Sequence, residues 1–263
     1  MRKKNALLII DAQHDFCNPK GSLFVQGADQ DMVRLSAFID KNKANLDHIC
    51  ATLDNHPIHD ISHPAFWKDS QGNSPAPFTQ ITSKEVLEGK WIALFEPQKA
   101  LIYLQELEKQ GKFLHFIWTT HCLTGSLGAS LDETLMKSLI NWSKNGREYQ
   151  TVVKGTYPFT EHFGIFMAQI PYPDRPETQL NQTLINSLDA YEHIYLAGEA
   201  KSHCVATSLQ QLMDYAPKTA QKIIVIQDCM SDVTGLGHLG KPTYDQAAQL
   251  GINFVKAAEV NLN

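Results

Sequence analysis

The chain has no apolar segment near its start that could serve as a membrane anchor or an export signal. The segment Met1–Lys4, with three basic residues, precedes an apolar run of only five residues, Ala6–Ile10. A membrane-spanning helix needs about 20 apolar residues, and a secretory signal also has a longer apolar region than this one. We therefore expect a cytoplasmic protein without a membrane partner.

Cysteine is scarce and has no regular spacing. The five cysteines are odd in number and form no CxxC pair; they are Cys17, Cys50, Cys122, Cys204 and Cys229. This distribution argues against both a disulfide framework and a structural zinc site. It leaves free thiols, one of which could be reactive.

Basic charge is also limited. The chain has 23 Lys and Arg against 28 Asp and Glu, a formal net charge of -5, and no basic cluster. Nucleic-acid binding needs a concentrated basic surface, so we expect no nucleic-acid partner. A small-molecule substrate is the expected partner, and assembly of several copies of the chain stays open.

Apolar runs alternate with helix-patterned segments along the 263 residues. The predicted strands are Ala6–Ile10, Ile49–Leu53, Leu114–Trp118, Tyr195–Ala197, Lys222–Ile226 and Ile252–Val255, and the predicted helices include Leu101–Lys109 and Leu131–Trp142. This alternation predicts an α/β protein, a three-layer sandwich whose mostly parallel central sheet is flanked by helices. We expect one domain over residues 1–263, with a long ordered loop inserted near 63–91.

Residues with useful chemistry follow several predicted strands. Asp11, Asp54, His56 and His121 come at or just after strand ends, and a sharp turn precedes Cys204. In an open parallel sheet the carboxyl ends of the strands share one edge, which is where ligands bind. These side chains are therefore predicted to form one site.

Cys204 is the candidate nucleophile. The strand ending at Ala197 is followed by Gly198, which permits a tight turn, and then by the helical pattern Val205–Met213. A thiol at the start of a helix lies among free N–H groups that lower its pKa and can hold an oxyanion. The alternative is a small buried cysteine of the core.

Asp11 and Lys154 are candidate partners for that thiol. Each ends an apolar run, and burial of Asp11 would raise its pKa and suit it to proton transfer. A lysine beside Asp11 would orient the carboxylate and keep it ionised. The alternatives are a turn or N-cap aspartate and a solvated surface lysine.

A metal site is predicted from residues on the same edge. Asp54, His56 and His121 offer one carboxylate and two imidazoles, a set that suits zinc, iron or manganese. The nearby residues His59, Asp60 and His63 could add a ligand. The alternative is a histidine-rich loop that binds no metal.

In these motifs the chain resembles the isochorismatase-like cysteine hydrolases. The opening motif D-x-Q-x-D-F stands at Asp11–Phe16, a lysine before glycine at Lys154–Gly155, and G-x-A-x-x-x-C-V at Gly198–Val205. The resemblance implies a catalytic triad of Asp11, Lys154 and Cys204. It also implies an oxyanion hole formed by the N–H groups of Ala200 and Cys204, and a cis peptide bond between Glu199 and Ala200.

Within that family the chain resembles the nicotinamidases. Their D-x-H-P motif stands at Asp54–Pro57, and their W-P-x-H-C motif at Trp118–Cys122 with Thr119 in place of proline. The chain has Asp60 where many nicotinamidases have a further histidine. The resemblance implies Asp54, His56 and His121 as ligands of one divalent metal ion, with zinc expected before iron or manganese, and Phe16, Leu23 and Trp118 as residues around the substrate ring.

The implied activity is hydrolysis of nicotinamide or a related small amide to the acid and ammonia through a thioester. One alternative is another hydrolase of the same fold, such as an N-carbamoyl amidase, which would need no metal, or an isochorismatase, which commonly lacks the cysteine. A second alternative is a binding protein without catalytic activity. The combination of Asp11, Lys154 and Cys204 argues against it.

Overall fold

Eight strands form two sheets in the computed structural model, which describes residues 3–111, 113–144 and 146–262. The strands are β1 Asn5–Ile10, β2 His48–Asp54, β3 Trp67–Lys68, β4 Ile92–Ala93, β5 Gln150–Lys154, β6 His193–Gly198, β7 Ile223–Ile226 and β8 Asn253–Val255. The central sheet has the order β5-β2-β1-β6-β7-β8, and all of its neighbours are parallel. β3 and β4 form a separate antiparallel pair.

Nine α-helices lie in the described ranges. They are α1 His14–Cys17, α2 Ala28–Asn42, α3 Ser83–Leu87, α4 Pro97–Gln110, α5 Glu133–Ser143, α6 Gln182–Asp189, α7 Ala206–Tyr215, α8 Pro217–Ala220 and α9 Gly237–Gln249. No helix in the described ranges is long and apolar enough to cross a membrane.

The two faces of β1 separate two hydrophobic cores. Leu7 and Ile9 belong to one core together with residues of α2 and α5. Ala6, Leu8 and Ile10 belong to the other core, with residues of α6 and α7. A strand buried on both faces is apolar throughout, as expected for a parallel sheet between two helical layers. The predicted three-layer fold is confirmed.

One predicted strand is wrong. Leu114–Trp118 contributes no strand to the central sheet; it lies extended against residues 78–81, with Phe116 and Gln80 as an isolated bridge. β5 instead forms the edge of the central sheet next to β2. It pairs with β2 in a register that places Lys154 beside Asp54. β5 is an edge strand and is largely exposed. It therefore lacks the continuous apolar run that marks the central strands.

The segment near 63–91, predicted to be a long ordered loop, is not a plain loop. It contains a 3₁₀ turn at Pro64–Phe66, β3 and α3. Its apolar side chains share a third hydrophobic core with α4, made of Ile61, Phe66, Trp67, Ile81, Ala93, Ala100, Tyr103, Leu104, Leu107 and Ile117. A satellite core of this kind holds a long insertion in place. The assignment of residues 1–263 to one domain stays a prediction.

Gly198 is required at the end of β6. Its φ is +117°, and a Cβ built on it would lie 1.9 Å from the carbonyl oxygen of Ile10, its neighbour on β1. Gly235 also has a positive φ, +80°, but a Cβ there would meet no atom within 4 Å.

We therefore expect Gly198→Ala to lower the free energy of unfolding by at least about 3 kcal/mol, or to prevent folding, since β1 and β6 must separate. Gly235→Ala should lower the free energy of unfolding by only about 1 kcal/mol, because the positive φ is the only source of strain there. Denaturant unfolding of both variants measures the difference. Equal losses would show that the close approach of β1 and β6 is not a constraint.

Candidate active site

The ammonium group of Lys154 connects the predicted triad. Lys154 ends β5 and is buried. Its Nζ lies 2.8 Å from Asp11 Oδ2 and 3.0 Å from Asp54 Oδ1, and it donates to Cys204 Sγ at 3.8 Å. The structure thus brings together all three predicted triad residues and one predicted metal ligand.

Lys154 remains charged in this environment. Burial lowers its pKa, but the negative charges of Asp11 and Asp54 act in the opposite direction, and the net pKa lies well above the ordinary value for lysine. A buried charge is tolerated where it is paired in this way. The side chain is therefore a fixed cation at the end of β5, not a solvated surface lysine.

Asp11 is held at the end of β1 by Thr52. The Asp11 amide donates to Thr52 Oγ1 at 2.9 Å, and that hydroxyl donates to Asp11 Oδ1 at 2.5 Å. The φ of Asp11 is +41°, a conformation that few residues other than glycine adopt. Burial raises the pKa of the carboxyl, Lys154 lowers it and Asp54 raises it, with a net rise. The raised pKa suits Asp11 to accept and return a proton.

Cys204 lies inside a helical turn, Lys201–Val205, that continues into α7. The prediction that its position lowers the thiol pKa is wrong: burial raises the pKa well above the ordinary value, although Lys154 acts to lower it. The thiol is the fourth residue of the turn and 7% exposed, so loss of water is the dominant effect. Formation of the thiolate therefore needs a base, and Asp11 is placed to supply it.

The backbone before Cys204 carries a free donor. The peptide bond between Glu199 and Ala200 is cis, as the resemblance implies. The Ala200 carbonyl accepts the amides of His203 and Val205 at 3.1 and 3.2 Å, whereas no acceptor within the described residues takes the Ala200 amide. An unpaired amide beside a nucleophile is suited to bind an oxyanion.

Three buried histidines lie together next to this group. Ligand atoms of His56, His63 and His121 all lie within 4.8 Å of one another. Asp54 Oδ2 lies 3.1 Å from His56 Nε2 and 3.8 Å from His121 Nε2. A Cβ at Gly155 would be 2.6 Å from Asp54 Oδ1, so glycine is needed after Lys154. Asp54 thus joins the histidines to the triad through its two oxygens.

The Nδ1 atoms of two histidines already have hydrogen-bond partners. His56 Nδ1 is 3.0 Å from Asp60 Oδ2, and Asp60 Oδ1 accepts the amide and hydroxyl of Ser62 at 2.9 and 2.7 Å. His121 Nδ1 is 2.8 Å from the carbonyl oxygen of Thr119. These contacts leave the Nε2 atoms for a ligand. His56 Nε2 is buried and, although it lies 3.1 Å from Asp54 Oδ2, forms no aligned hydrogen bond with any described residue. The site therefore fits a metal with imidazole and carboxylate ligands.

The candidates that the sequence left open have different positions. His63 joins the histidine cluster. Asp60 contacts His56 and orients its ring. His59 packs against Phe95 with ring centroids 5.2 Å apart. The segment after Pro57 turns back on itself, which the sequence pattern does not reveal.

His121 reaches the site without a preceding sheet strand. His56 donates its amide to the Cys122 carbonyl at 2.9 Å, and Thr124 donates to the His56 carbonyl at 3.0 Å. The Cys122 amide in turn donates to Asp15 Oδ2 at 2.7 Å. These bonds place the His121 segment directly beside the end of β2.

Two of the three residues predicted around the substrate ring contact residues of the site or next to it. The Phe16 ring is 5.4 Å from that of His121, and the Trp118 ring is 5.2 Å from that of His203, the neighbour of Cys204. Leu23 is partly buried and packs against both main cores. Its packing is that of a core residue as much as of a pocket wall.

Three other buried residues were assigned no function from the sequence. Gln13 donates to the Asp54 carbonyl and accepts the Asp54 amide, both at 2.7 Å, and the D-x-Q motif was the available signal. Glu161 and His162 are buried; burial raises the pKa of Glu161 to about 8 and lowers that of His162 to about 3. No motif marks these two.

Proteins similar to this chain include nicotinamidases and pyrazinamidases. No protein-family model matches the chain. A nicotinamidase of Saccharomyces cerevisiae is 21% identical over 213 residues, which cover 81% of this chain and 83% of that protein. The crystal structure of the yeast enzyme bound to the inhibitor nicotinaldehyde has a TM-score of 0.67 at 19% identity, and covers 96% of this chain and 99% of its own.

Two further solved structures are similar. A nicotinamidase/pyrazinamidase of Acinetobacter baumanii has a TM-score of 0.65 at 20% identity, with 98% of this chain and 99% of that chain covered. A pyrazinamidase of Pyrococcus horikoshii in complex with zinc has a TM-score of 0.56 at 18% identity, with 96% and 100% covered.

The fold is therefore that of the isochorismatase-like hydrolases. The predicted resemblance to the nicotinamidase branch of that group is confirmed as well.

Replacement of His63 tests the one candidate ligand that the structure adds to the predicted set. We expect His63→Ala to weaken metal binding by at least about 100-fold, since loss of a direct ligand should exceed the 10- to 100-fold effect of outer contacts. His59→Ala is the matched control and should keep the metal content of the unaltered protein. Elemental analysis after dialysis measures both. A full metal content in His63→Ala would exclude His63 as a ligand.

Proposed function

We propose that this protein is a cysteine amidohydrolase that converts nicotinamide, or a closely related small amide, to the acid and ammonia. The single observation that supports it best is the position of the Lys154 ammonium, which contacts Asp11, Cys204 and Asp54 at once. Asp11, Lys154 and Cys204 are the proposed catalytic residues.

The first half of the reaction forms a thioester. Asp11 accepts the proton of Cys204, and the thiolate sulfur attacks the carboxamide carbon. The N–H groups of Ala200 and Cys204 hold the resulting oxyanion. When the tetrahedral intermediate collapses, the C–N bond breaks and Asp11 returns its proton to the leaving ammonia.

The second half releases the acid. Asp11 accepts a proton from a water molecule whose oxygen attacks the thioester carbon. Collapse of the intermediate breaks the C–S bond, and Asp11 returns the proton to the leaving sulfur, which restores the Cys204 thiol. Lys154 keeps its charge throughout, so it orients Asp11 and offsets the negative charge that moves between Asp11 and Cys204.

One divalent metal ion is proposed as the cofactor, with zinc expected before iron or manganese. His56, His63, His121 and Asp54 would hold it. When bound, such an ion offers a coordination position to a pyridine nitrogen and so orients the substrate. The zinc complex of the Pyrococcus pyrazinamidase supports this assignment.

Nicotinamide is the proposed substrate because yeast and Acinetobacter relatives are nicotinamidases and because Phe16 and Trp118 provide aromatic surface near the histidines. An N-carbamoyl amidase would need no metal, so the buried histidine cluster favours the pyridine amide. Cys204 disfavours an isochorismatase, and the assembled triad disfavours a protein that only binds. A cytoplasmic location and the absence of nucleic-acid and membrane partners stay predictions from composition.

Replacement of the nucleophile should abolish turnover. We expect Cys204→Ala to lower kcat by at least about 10⁴-fold, because no thioester can form, with little change in the melting temperature. Cys17→Ala is the control, since Cys17 is also buried but lies outside the site. Ammonia release and thermal unfolding are the measurements. Activity that survives in Cys204→Ala and disappears in Cys17→Ala would mean that the nucleophile is misassigned.

The proposed orienting role of the metal predicts a substrate-dependent effect of chelation. Nicotinamide has a ring nitrogen that can bind the ion and benzamide has none, so removal of the metal should lower kcat/KM for nicotinamide about 100-fold more than for benzamide. Steady-state rates before chelation, after chelation and after metal is restored provide the test. Equal losses for the two amides would remove the orienting role, and rapid hydrolysis of an N-carbamoyl amino acid without activity on nicotinamide would favour the alternative amidase.

A further inference from the structure

Glu199 is a buried carboxyl directly before the proposed oxyanion donor Ala200. Its side chain is 0% exposed. It occupies the variable position of the G-x-A segment, between Gly198 at the end of β6 and Ala200. The proposed reaction uses no atom of Glu199, so the chain keeps a costly buried acid here for another reason.

Glu199 is attached to the loop that follows β7. Glu199 Oε2 accepts the Ser231 amide at 3.0 Å, and the Ser231 carbonyl accepts the Lys201 amide at 2.8 Å. Ser231 therefore contacts the residue on each side of Ala200. In addition, the Gly198 amide donates to the Cys229 carbonyl at 3.0 Å.

The same loop is anchored to α2. Ser231 Oγ donates to Asp31 Oδ2 at 2.5 Å. Asp31 Oδ1 pairs with Arg34 Nη2 at 2.5 Å, and Arg34 Nε donates to the Asp228 carbonyl at 2.5 Å. Asp31 is itself buried, so this network holds the loop in one position relative to α2.

The second oxygen of Glu199 can act as a donor when the acid is protonated. Oε1 is buried and, among the described residues, has no partner if the acid is ionised. Burial raises the pKa of Glu199 well above its ordinary range, and the charge of Asp31 raises it further. The neutral acid can donate a hydrogen bond to the Asp31 carboxylate while its other oxygen accepts the Ser231 amide.

We propose that Glu199 is a positioning residue whose carboxyl, bonded to Ser231 and linked through Ser231 to Asp31, fixes the backbone on both sides of Ala200 so that the Ala200 amide points at the developing oxyanion. This inference rests on the proposed amidohydrolase function. An apolar side chain would fill the same space but would leave the Ser231 amide without its acceptor and the loop without this attachment.

Two substitutions separate hydrogen bonding from filling of space. Glu199→Gln keeps an acceptor for Ser231 and a donor for Asp31, so its kcat should stay within about 3-fold of the unaltered enzyme. Glu199→Leu loses both bonds, and its kcat should fall about 100-fold, the effect of one lost oxyanion donor, with KM changed less than about 3-fold. Glu199→Met supplies the same comparison if the leucine variant does not fold.

Alkylation of Cys204 by iodoacetamide distinguishes this role from damage to the nucleophile. In that reaction the C–S bond forms while iodide leaves, and no oxyanion develops. Its rate in Glu199→Leu should therefore equal that of the unaltered enzyme. Cys229→Ala, which changes a buried side chain of the same loop, is the control for general loosening and should keep both kcat and the alkylation rate.

Three results with these variants would overturn the inference about Glu199. Unchanged kcat in Glu199→Leu would show that Glu199 has no role in turnover. Equal losses of kcat and alkylation rate would assign it to the thiol or to folding, and a glutamine variant as slow as the leucine variant would exclude the proposed bonds. If the unaltered enzyme cleaves an N-carbamoyl amino acid but not nicotinamide, the substrate proposal fails alone, and the same ratios on that amide still test Glu199. If it cleaves neither, both proposals fail.

Discussion

The buried ammonium of Lys154 between two carboxylates is the interaction on which the rest of the site depends. Its nitrogen lies within 3.0 Å of both Asp11 and Asp54. Removing one partner from a buried ion pair costs about 3–5 kcal/mol because the other charge is left uncompensated. β5 must therefore lie beside β2, with Lys154 in register with Asp54, and glycine must follow where Asp54 leaves no room for a Cβ.

This arrangement also explains how one edge of the sheet serves two functions. Asp54 faces Lys154 with one oxygen and the histidines with the other. Asp11 faces Lys154 with one oxygen and Thr52 with the other. Burial raises the pKa of both Asp11 and Cys204, so a proton can pass between them while Lys154 stays charged. Lys154 thereby lies between the proposed proton-transfer pair and the proposed metal ligands.

Sequence patterns predicted the central strands because these strands are buried on both faces and read as continuous apolar runs. They failed for β5, because an edge strand is half exposed and lacks a continuous apolar run. They also failed for Leu114–Trp118, because an apolar run carries no information about its pairing partner. The proposed triad and the proposed ligands Asp54, His56 and His121 could be selected from the sequence because they follow strand ends or known motifs. His63 could not be singled out, since its place depends on how the chain returns after Pro57. Glu199 could not either, because its partners Ser231 and Asp31 are distant in sequence.

The central claim is that this assembled group makes Cys204 the site of a covalent thioester. Acid quenching of the enzyme during turnover of nicotinamide, followed by peptide mapping by mass spectrometry, tests it most directly. We expect a nicotinoyl group on the peptide that contains Cys204 and on no other cysteine. Rapid turnover with an unmodified Cys204, or with the acyl group on Cys122, would contradict it.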